Sequence, residues 1–321
     1  MKIVFLDRAS FHKDIVVNTP NFQHEWVNFD NTIKSEIISR CADSQVIVTN
    51  KVPVQRDTLE ACPQIQHIAV TATGYNIIDL DACKDHGVTV SNIPSYATIT
   101  VPEHVLNVSL SLCRQLNLYR QLVQEGKWQS SPRFCLFDKP LNDLHGKTFG
   151  VVGFGSLGEA TGRLMHAIGM NVIYTSRSNK HSDFAQYVSL DELLQESDVV
   201  SLHCALTMDT ENLIDQNELK AMKPGAFLIN TARGGIANEQ AVVDAIENND
   251  IAGVAFDVLI QEPPSQGSSP LLDITHYNNV ILTPHNAWSS QEAMQALSDT
   301  VISNIEAFHR GDAQNLVSSL N

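Results

Sequence analysis

The chain has 321 residues, more than the ~100–200 of a typical domain, so two domains are predicted. Its hydrophobic content of 43% is that of a globular protein and excludes an intrinsically disordered chain. The balance of 21 Lys and Arg against 36 Asp and Glu gives a formal net charge of −15, which argues against nucleic-acid binding, because phosphate contacts need clustered basic side chains.

The first hundred residues alternate short apolar runs with polar segments of helical pattern. This alternation is typical of an α/β domain with a parallel sheet, and it predicts strands at residues 3–6, 46–49, 68–70 and 88–90, with helices at 32–41 and 79–86. The first apolar run is too short for a signal peptide. No run approaches the ~18 apolar residues of a membrane span, so a soluble, cytoplasmic protein that binds no membrane is expected.

A long apolar segment follows at residues 102–122 and is predicted to form one helix. It contains no glycine, and Pro102 and Glu103 suit the first turn of a helix. We interpret this helix as a domain connector or a dimer seam. The next segment, residues 126–144, is rich in Ser, Pro and aromatic residues and is predicted to be a loop.

A second series of strands and helices occupies the rest of the chain. Six strands are predicted, at residues 148–152, 171–174, 199–202, 226–230, 253–256 and 280–282. Six strands with helices between them match the doubly wound, Rossmann-type nucleotide-binding fold. A loop at residues 261–270 and an amphipathic helix at residues 289–308 complete the series.

A glycine motif, Gly-Phe-Gly-Ser-Leu-Gly, lies between the first strand of this series and the helix after it. In that context the first glycine allows a tight turn, the second lets the backbone approach a pyrophosphate, and the third lets the helix pack closely. The amides at the helix N-terminus would then face the phosphates. The motif predicts dinucleotide contacts from Gly153, Gly155, Ser156, Leu157 and Gly158.

The end of the second strand predicts which dinucleotide binds. An Asp or Glu there would bond the ribose 2′-hydroxyl and repel a 2′-phosphate, but residues 172–180 contain neither. Ser176 and Arg177 occupy the position instead, and a guanidinium beside hydroxyls favours a 2′-phosphate. NADP(H) is therefore favoured over NAD(H); the alternative is a solvent-facing arginine in a loop that tolerates either cofactor.

Three further segments follow predicted strands, at residues 230–235, 257–264 and 283–288. Open α/β sheets bind ligands at this edge, and the segments supply an arginine, a carboxylate and a histidine. A guanidinium can hold the carboxylate of a 2-keto acid, and a histidine can give a proton to the keto oxygen as a hydride arrives. A neighbouring carboxylate would orient the ring and favour its protonated form. Each residue alone has an ordinary structural interpretation; their convergence beside a dinucleotide site favours catalysis.

These segments, together with Ala-Thr-Gly-Tyr-Asn-Ile-Ile-Asp at 72–79 and Val-Pro-Glu-His at 101–104, resemble the D-isomer-specific 2-hydroxyacid dehydrogenase family over essentially the full chain. The hydroxypyruvate reductase (glycerate dehydrogenase) branch is the most similar. The resemblance implies that Arg233 anchors the substrate, that His285 is the acid/base, and that Glu262 is its partner. It also implies that amides around Thr73 and Gly74 bind the substrate carboxylate.

The resemblance also has implications for organisation and reaction. A smaller, flavodoxin-like substrate domain would combine residues 1–98 with 289–321, and residues 99–288 would form the NAD(P)-binding domain of a homodimer. The expected reaction reduces hydroxypyruvate or glyoxylate to D-glycerate or glycolate. Further cofactor contacts are predicted from residues that follow later strands of the second series, namely Cys204, Thr231, Ala232 and Asp257.

The sequence departs from the family pattern at two places. The usual Asp after the second strand is absent, and Ala205 replaces the proline of His-x-Pro-Leu, which predicts a softer loop. His104, although part of a family motif, is interpreted as structural. The six cysteines include no Cys-x-x-Cys pair, so no metal site is predicted.

Two alternative functions stay open at this point. A phosphite-type dehydrogenase of the same family would need a pocket for an anion that lacks a keto group. A dinucleotide-sensing, corepressor-like binding protein would need a partner-recruiting surface and long flanking tails, and neither is expected here.

Overall fold

The computed structural model describes residues 1–317, which fall into two compact units. The first unit combines Met1–Tyr96 with the chain from Ser289 onward, and the second is Ala97–Trp288. Each unit has its own parallel sheet with helices, which confirms the α/β fold class. No helix within these 317 residues has the length and apolar character needed to cross a membrane.

The first unit contains a five-stranded sheet. Its strands are β1 Lys2–Phe5, β2 Glu25–Asn28, β3 Val46–Thr49, β4 His67–Val70 and β5 Thr89–Ser91. All neighbours pair in parallel in the order β2-β1-β3-β4-β5, the order of flavodoxin-like sheets. The helices of this part are α1 Ile37–Cys41, α2 Arg56–Ala61 and α3 Leu80–Asp85, with 3₁₀ turns at Arg8–Ser10 and Lys34–Glu36.

Strand β2 is absent from the sequence-based prediction. Its four residues, Glu-Trp-Val-Asn, are exposed or half-buried because the strand lies at the sheet edge. An edge strand needs no continuous apolar run, whereas β3 and β4 are buried along their whole length and were visible as such runs.

The second unit contains a seven-stranded parallel sheet. Its strands are β6 Thr148–Val152, β7 Asn171–Thr175, β8 Ala185–Tyr187, β9 Val199–Leu202, β10 Phe227–Asn230, β11 Gly253–Phe256 and β12 Val280–Leu282. The order β12-β11-β10-β9-β6-β7-β8 contains the Rossmann order 3-2-1-4-5-6 with one strand added. The prediction of six strands was therefore wrong by one. The missed strand, β8, is a three-residue edge strand without an apolar run.

The helices of the second unit are α4 Thr100–Cys113, α5 Leu116–Gln124, α6 Ser156–Ala167, α7 Leu190–Glu196, α8 Gln216–Ala221 and α9 Glu239–Glu247. The prediction of one helix over residues 102–122 was wrong. Gln115 adopts a left-handed conformation (φ 52°), which ends the regular turn between α4 and α5. The break separates a helix that buries one face from a helix that buries none of its residues.

The last helix, α10 Gln291–His309, belongs to the first unit and confirms the helix predicted at residues 289–308. Its apolar face buries Leu297, Val301 and Ile305. The Phe308 ring stacks on His67 of β4, with ring centroids 4.6 Å apart. Residues from the end of the chain thus complete the core around the N-terminal sheet.

His67 is fully buried in this core. Its ring nitrogens lie 2.8 Å from Thr89 Oγ1 and 2.9 Å from Ser91 Oγ. Burial lowers the pKa of His67 to about 4, so the imidazole is neutral in the folded protein at neutral pH.

We expect His67 to make the protein less stable in mild acid. The unfolded state takes up the proton below about pH 6.5 and the folded state only near pH 4, so stability is fully present above pH 6.5 and is lost as the pH falls between these values. Between pH 7 and pH 5 the loss is about 2 kcal/mol for this group. Denaturant unfolding of wild type and His67→Gln checks it, with exposed His12→Gln as the control. An equal pH dependence of wild type and His67→Gln would contradict it.

Candidate active site

The glycine motif forms the turn between β6 and α6. Gly153 has φ 97°, and a Cβ there would lie 2.5 Å from the backbone nitrogen of Cys204. A Cβ at Gly158 would overlap the Gly153 carbonyl oxygen, whereas a Cβ at Gly155 would meet nothing within 4 Å. The first and third glycines are thus required by packing. The second leaves open space at the helix N-terminus, beside Ser156 and Leu157, which fits a bound phosphate group.

The segment after β7 carries the residues expected to select the cofactor. Ser176 Oγ donates to the Ser178 carbonyl oxygen at 2.6 Å, and Arg177 is exposed. A further cation, Lys180, was missed by the sequence analysis: its Nζ donates to the carbonyl oxygen of Phe154, inside the glycine motif, at 2.8 Å. Nothing in the sequence around Lys180 signals this contact, which depends on how the loop folds back.

The segment after β9 packs against the glycine turn. His203 is half-buried by accessible surface, its Nε2 lies 2.9 Å from Ser201 Oγ, and desolvation of the ring lowers its pKa to about 4. It is therefore neutral and unsuited to hold a proton for transfer at neutral pH. Burial also raises the pKa of the neighbouring Cys204 thiol, so that thiol is not an activated nucleophile.

The segment after β10 presents Arg233 on a turn held by a buried asparagine. Asn230 accepts from the Ala232 amide at 3.0 Å and donates to the Arg233 carbonyl oxygen at 2.9 Å. Arg233 is exposed and uses one nitrogen, Nη1, to donate to the Ala232 carbonyl oxygen at 2.7 Å. The hydroxyl of Thr231 is buried and has no hydrogen-bond partner within residues 1–317, which fits a polar group of a bound cofactor.

His285 and Glu262, the two residues that the sequence analysis named as an acid/base and its partner, are in direct contact. The Nδ1 atom of His285 lies 2.5 Å from Oε2 of Glu262. The other carboxylate oxygen of Glu262 accepts from the Leu259 amide at 2.9 Å, which fixes the carboxylate. Both side chains are about 30% exposed (28% and 32%), so the pair is reachable from solvent.

Asp257 holds the turn that carries His285. Its buried carboxylate accepts from Thr283 Oγ1 at 2.6 Å and from the amides of Asn286 and Ala287, each at 2.9 Å. These bonds support His285 in a left-handed conformation (φ 51°). The hydrogen bonds given by the structure therefore assign Asp257 to the turn; the predicted cofactor contact stays a prediction.

His104 lies behind the same turn. Its Nε2 is 3.4 Å from Thr283 Oγ1. Burial lowers the pKa of His104, and the Asp257 charge opposes that shift.

A cavity of about 410 Å³ adjoins the His285–Glu262 pair. Most of its walls are apolar, formed by Leu259, Pro263, Pro264, Leu272, Leu282 and Pro284. An apolar cavity with a few polar groups at one side is the usual form of a small-molecule site.

Thr73 and Gly74 belong to the first unit, in the loop after β4. Thr73 Oγ1 donates to the Ile93 carbonyl oxygen at 2.8 Å, and Asn92 Nδ2 donates to the Thr73 carbonyl oxygen at 2.7 Å. These bonds fix the loop to the end of β5. Within residues 1–317 no cluster of His, Cys, Asp and Glu is suited to hold a metal ion, and all six cysteines are free thiols.

Residues 106–287 match the family model described as "D-isomer specific 2-hydroxyacid dehydrogenase, NAD binding domain". The chain is 43% identical to a glycerate dehydrogenase of Methylorubrum extorquens, covering 98% of each chain. It is 37% identical to a hydroxypyruvate reductase of Blautia hydrogenotrophica, covering 99% of each. Among solved structures, a glyoxylate reductase from Paecilomyes thermophila is similar with a TM-score of 0.82 and 26% identity, over 99% of this chain and 98% of that one.

Proposed function

Because the chain belongs to the D-isomer specific 2-hydroxyacid dehydrogenase family, we propose that it reduces hydroxypyruvate and glyoxylate to D-glycerate and glycolate. The observation that carries the proposal is the 2.5 Å contact between His285 and Glu262, which both line a cavity of about 410 Å³. The names of two relatives, glycerate dehydrogenase and hydroxypyruvate reductase, support hydroxypyruvate and glycerate, and that of a similar solved structure, a glyoxylate reductase, supports glyoxylate.

Each residue has a separate part in the proposed reaction. Arg233 binds the substrate carboxylate and polarises the keto oxygen, because a guanidinium offers a planar pair of donors. Glu262 orients the His285 ring through Nδ1 and stabilises its protonated form. His285 then gives its Nε2 proton to the keto oxygen. Amides at Thr73 and Gly74 are the proposed second contact for the carboxylate.

The glycine motif and the Thr231 hydroxyl would hold the dinucleotide, with further contacts proposed from Cys204, Ala232 and Asp257. A nicotinamide dinucleotide held there would supply the hydride for the carbonyl carbon of the keto acid. Gly155 leaves room for the pyrophosphate, and the N-terminal amides of α6 lie beside that space.

Steady-state assays that cross NADH and NADPH with hydroxypyruvate, glyoxylate and a bulkier 2-keto acid test the function. We expect one of the two small keto acids to give the highest kcat/KM. Cofactor reduction driven by phosphite at higher efficiency would favour a phosphite-type dehydrogenase instead. Dinucleotide binding without turnover of any substrate would favour a sensing protein.

We expect the wild-type enzyme to prefer NADPH, and Ser176→Asp to reverse the preference. Arg177 is exposed, so its pairing with a 2′-phosphate is worth at most about 1 kcal/mol, or about fivefold. Lys180, whose Nζ donates to the Phe154 carbonyl oxygen inside the glycine motif, adds a positive charge at that motif. A carboxylate at position 176 would repel the 2′-phosphate and accept from a 2′-hydroxyl.

The measurement is kcat/KM with each cofactor at a saturating keto acid, with Ser178→Asp as a neighbouring control. A wild-type enzyme that prefers NADH would show that neither cation reaches the ribose.

We also propose a homodimer, formed through exposed apolar residues of the second unit. Phe134 and Phe137 in the loop after α5 are 91% and 75% exposed, and Trp128 and Leu116 are more than half exposed. Apolar surface of this kind is normally covered by a partner, and two-fold dimers are the commonest oligomers. Light scattering at micromolar concentration should give twice the mass of one chain, and Phe134→Ser with Phe137→Ser should lower it. The mass of a single chain for wild type would contradict the proposal.

A further inference from the structure

Glu239 is a buried carboxylate with no part in the reaction as proposed. It is the first residue of α9 and is only 4% exposed. Its Oε1 accepts a hydrogen bond from the Ile260 amide at 2.8 Å, across 21 positions of sequence. Burying a carboxylate is unfavourable unless its oxygens accept hydrogen bonds, so the bond from the Ile260 amide offsets part of the cost of burying Glu239.

The donor of that bond, the Ile260 amide, is close to the residues proposed for catalysis. Ile260 lies two positions before Glu262, and the Leu259 amide donates to Glu262 itself at 2.9 Å. Two adjacent amides therefore donate to two different carboxylates, Glu262 from within the turn and Glu239 from α9.

The same peptide group also touches the segment that carries Arg233. A Cβ at Gly234 would overlap the carbonyl oxygen of Leu259 and would lie 2.4 Å from the Ile260 nitrogen, so these two backbones are in direct contact. The peptide between Leu259 and Ile260 thus lies where the Arg233 segment, the Glu262 turn and the first turn of α9 meet.

We propose that Glu239 is a positioning residue for the reaction. By accepting from Ile260 it fixes the turn from Leu259 to Glu262, and this places the Glu262 carboxylate at 2.5 Å from His285. Glu239 touches neither substrate nor the reacting atoms in this role. The inference rests on the proposed roles of Glu262 and His285.

The size of the expected effect follows from the geometry of proton transfer. Without its acceptor, the Ile260 amide turns toward water and carries the exposed turn with it. A displacement of about 1 Å in a catalytic group can lower a rate about 100-fold. Glu239→Ala should therefore lower kcat for keto-acid reduction about 10- to 100-fold, with the KM for the dinucleotide changed by less than about twofold.

Two conservative variants separate the hydrogen bond from the charge. Glu239→Gln keeps an oxygen acceptor of the same length and should restore most of the activity lost in Glu239→Ala. Glu239→Asp keeps the charge but withdraws the acceptor by one methylene, so it should resemble Glu239→Ala. Glu247, exposed at the other end of α9, provides the control: Glu247→Ala should leave kcat unchanged. If Glu239→Ala does not fold, the comparison of kcat between Glu239→Gln and Glu239→Asp is sufficient to test the proposal.

A double-mutant cycle with Glu262→Gln distinguishes positioning from a general loss of stability. If Glu239 acts through Glu262, Glu239→Ala should cost less than about threefold once Glu262→Gln is present. The inference would be overturned if the separate losses of kcat in Glu239→Ala and Glu262→Gln multiplied in the double mutant. It would also be overturned if Glu239→Gln were no more active than Glu239→Asp. If Glu262→Gln alone slows reduction while Glu239→Ala does not, only this inference fails. If Glu262→Gln has no effect, the proposed acid/base pair fails together with it.

Discussion

Replacing His285 with Ala is expected to lower kcat for keto-acid reduction by about 100- to 10,000-fold, the usual contribution of a general acid. The physical reason is the arrangement of the ring: Nδ1 faces Glu262 at 2.5 Å, so Nε2 is the nitrogen that can give a proton to substrate. Single-turnover and steady-state reduction of hydroxypyruvate measure the effect. Dinucleotide binding, followed by fluorescence titration, should change little.

Comparison with two other residues, Glu262 and His203, tests whether the loss of activity in His285→Ala is specific to the His285–Glu262 pair. Glu262→Gln should retain more activity than His285→Ala, because the imidazole keeps a hydrogen-bond partner at Nδ1 and still presents Nε2 to the substrate. His203 offers no substitute acid, since burial lowers its pKa to about 4. Near-normal turnover in His285→Ala would remove this residue from the mechanism.

Arg233→Lys is expected to lower kcat/KM for the keto acid about 10- to 100-fold although the charge is kept. Hydrogen bonds to a charged group are worth about 1.5–3 kcal/mol, and an ammonium cannot reproduce the planar fork of a guanidinium. One nitrogen of Arg233 is already used on the Ala232 carbonyl oxygen, so the lysine would also lose that support.

Saturation with hydroxypyruvate at fixed, saturating cofactor checks the Arg233 prediction. Arg114→Lys is the matched control, because Arg114 forms an exposed ion pair with Asp143. If the keto-acid KM and kcat/KM of Arg233→Lys equal those of wild type, Arg233 does not anchor the substrate.

The strands that the sequence revealed most directly are those that are buried on both faces. β3, β4, β9 and β10 consist of buried residues throughout, and each is visible as an apolar run. The edge strands β2 and β8 are each held by backbone pairing with one neighbour and carry no such pattern. The break at Gln115 was hidden for a different reason, since a left-handed glutamine has none of the glycine or asparagine signals that mark such turns.

The candidate site shows the same division between local and tertiary information. The glycine motif could be interpreted residue by residue, because its geometry depends on a strand and helix that are adjacent in sequence. The contacts of Asp257, Lys180 and Glu239 could not, because each partner lies 21 to 30 residues away and is brought close only by the fold.

The position of α10 has a consequence for synthesis of the chain. Domains generally fold as units while the ribosome adds residues from the N-terminus. The first unit begins at Met1, yet its core includes Leu297, Val301, Ile305 and the Phe308 ring on His67. The second unit is continuous and has all its residues once Trp288 has been added. The unit that leaves the ribosome first is therefore completed last. The face of its sheet that packs against α10 cannot be covered until residues 291–309 have been translated.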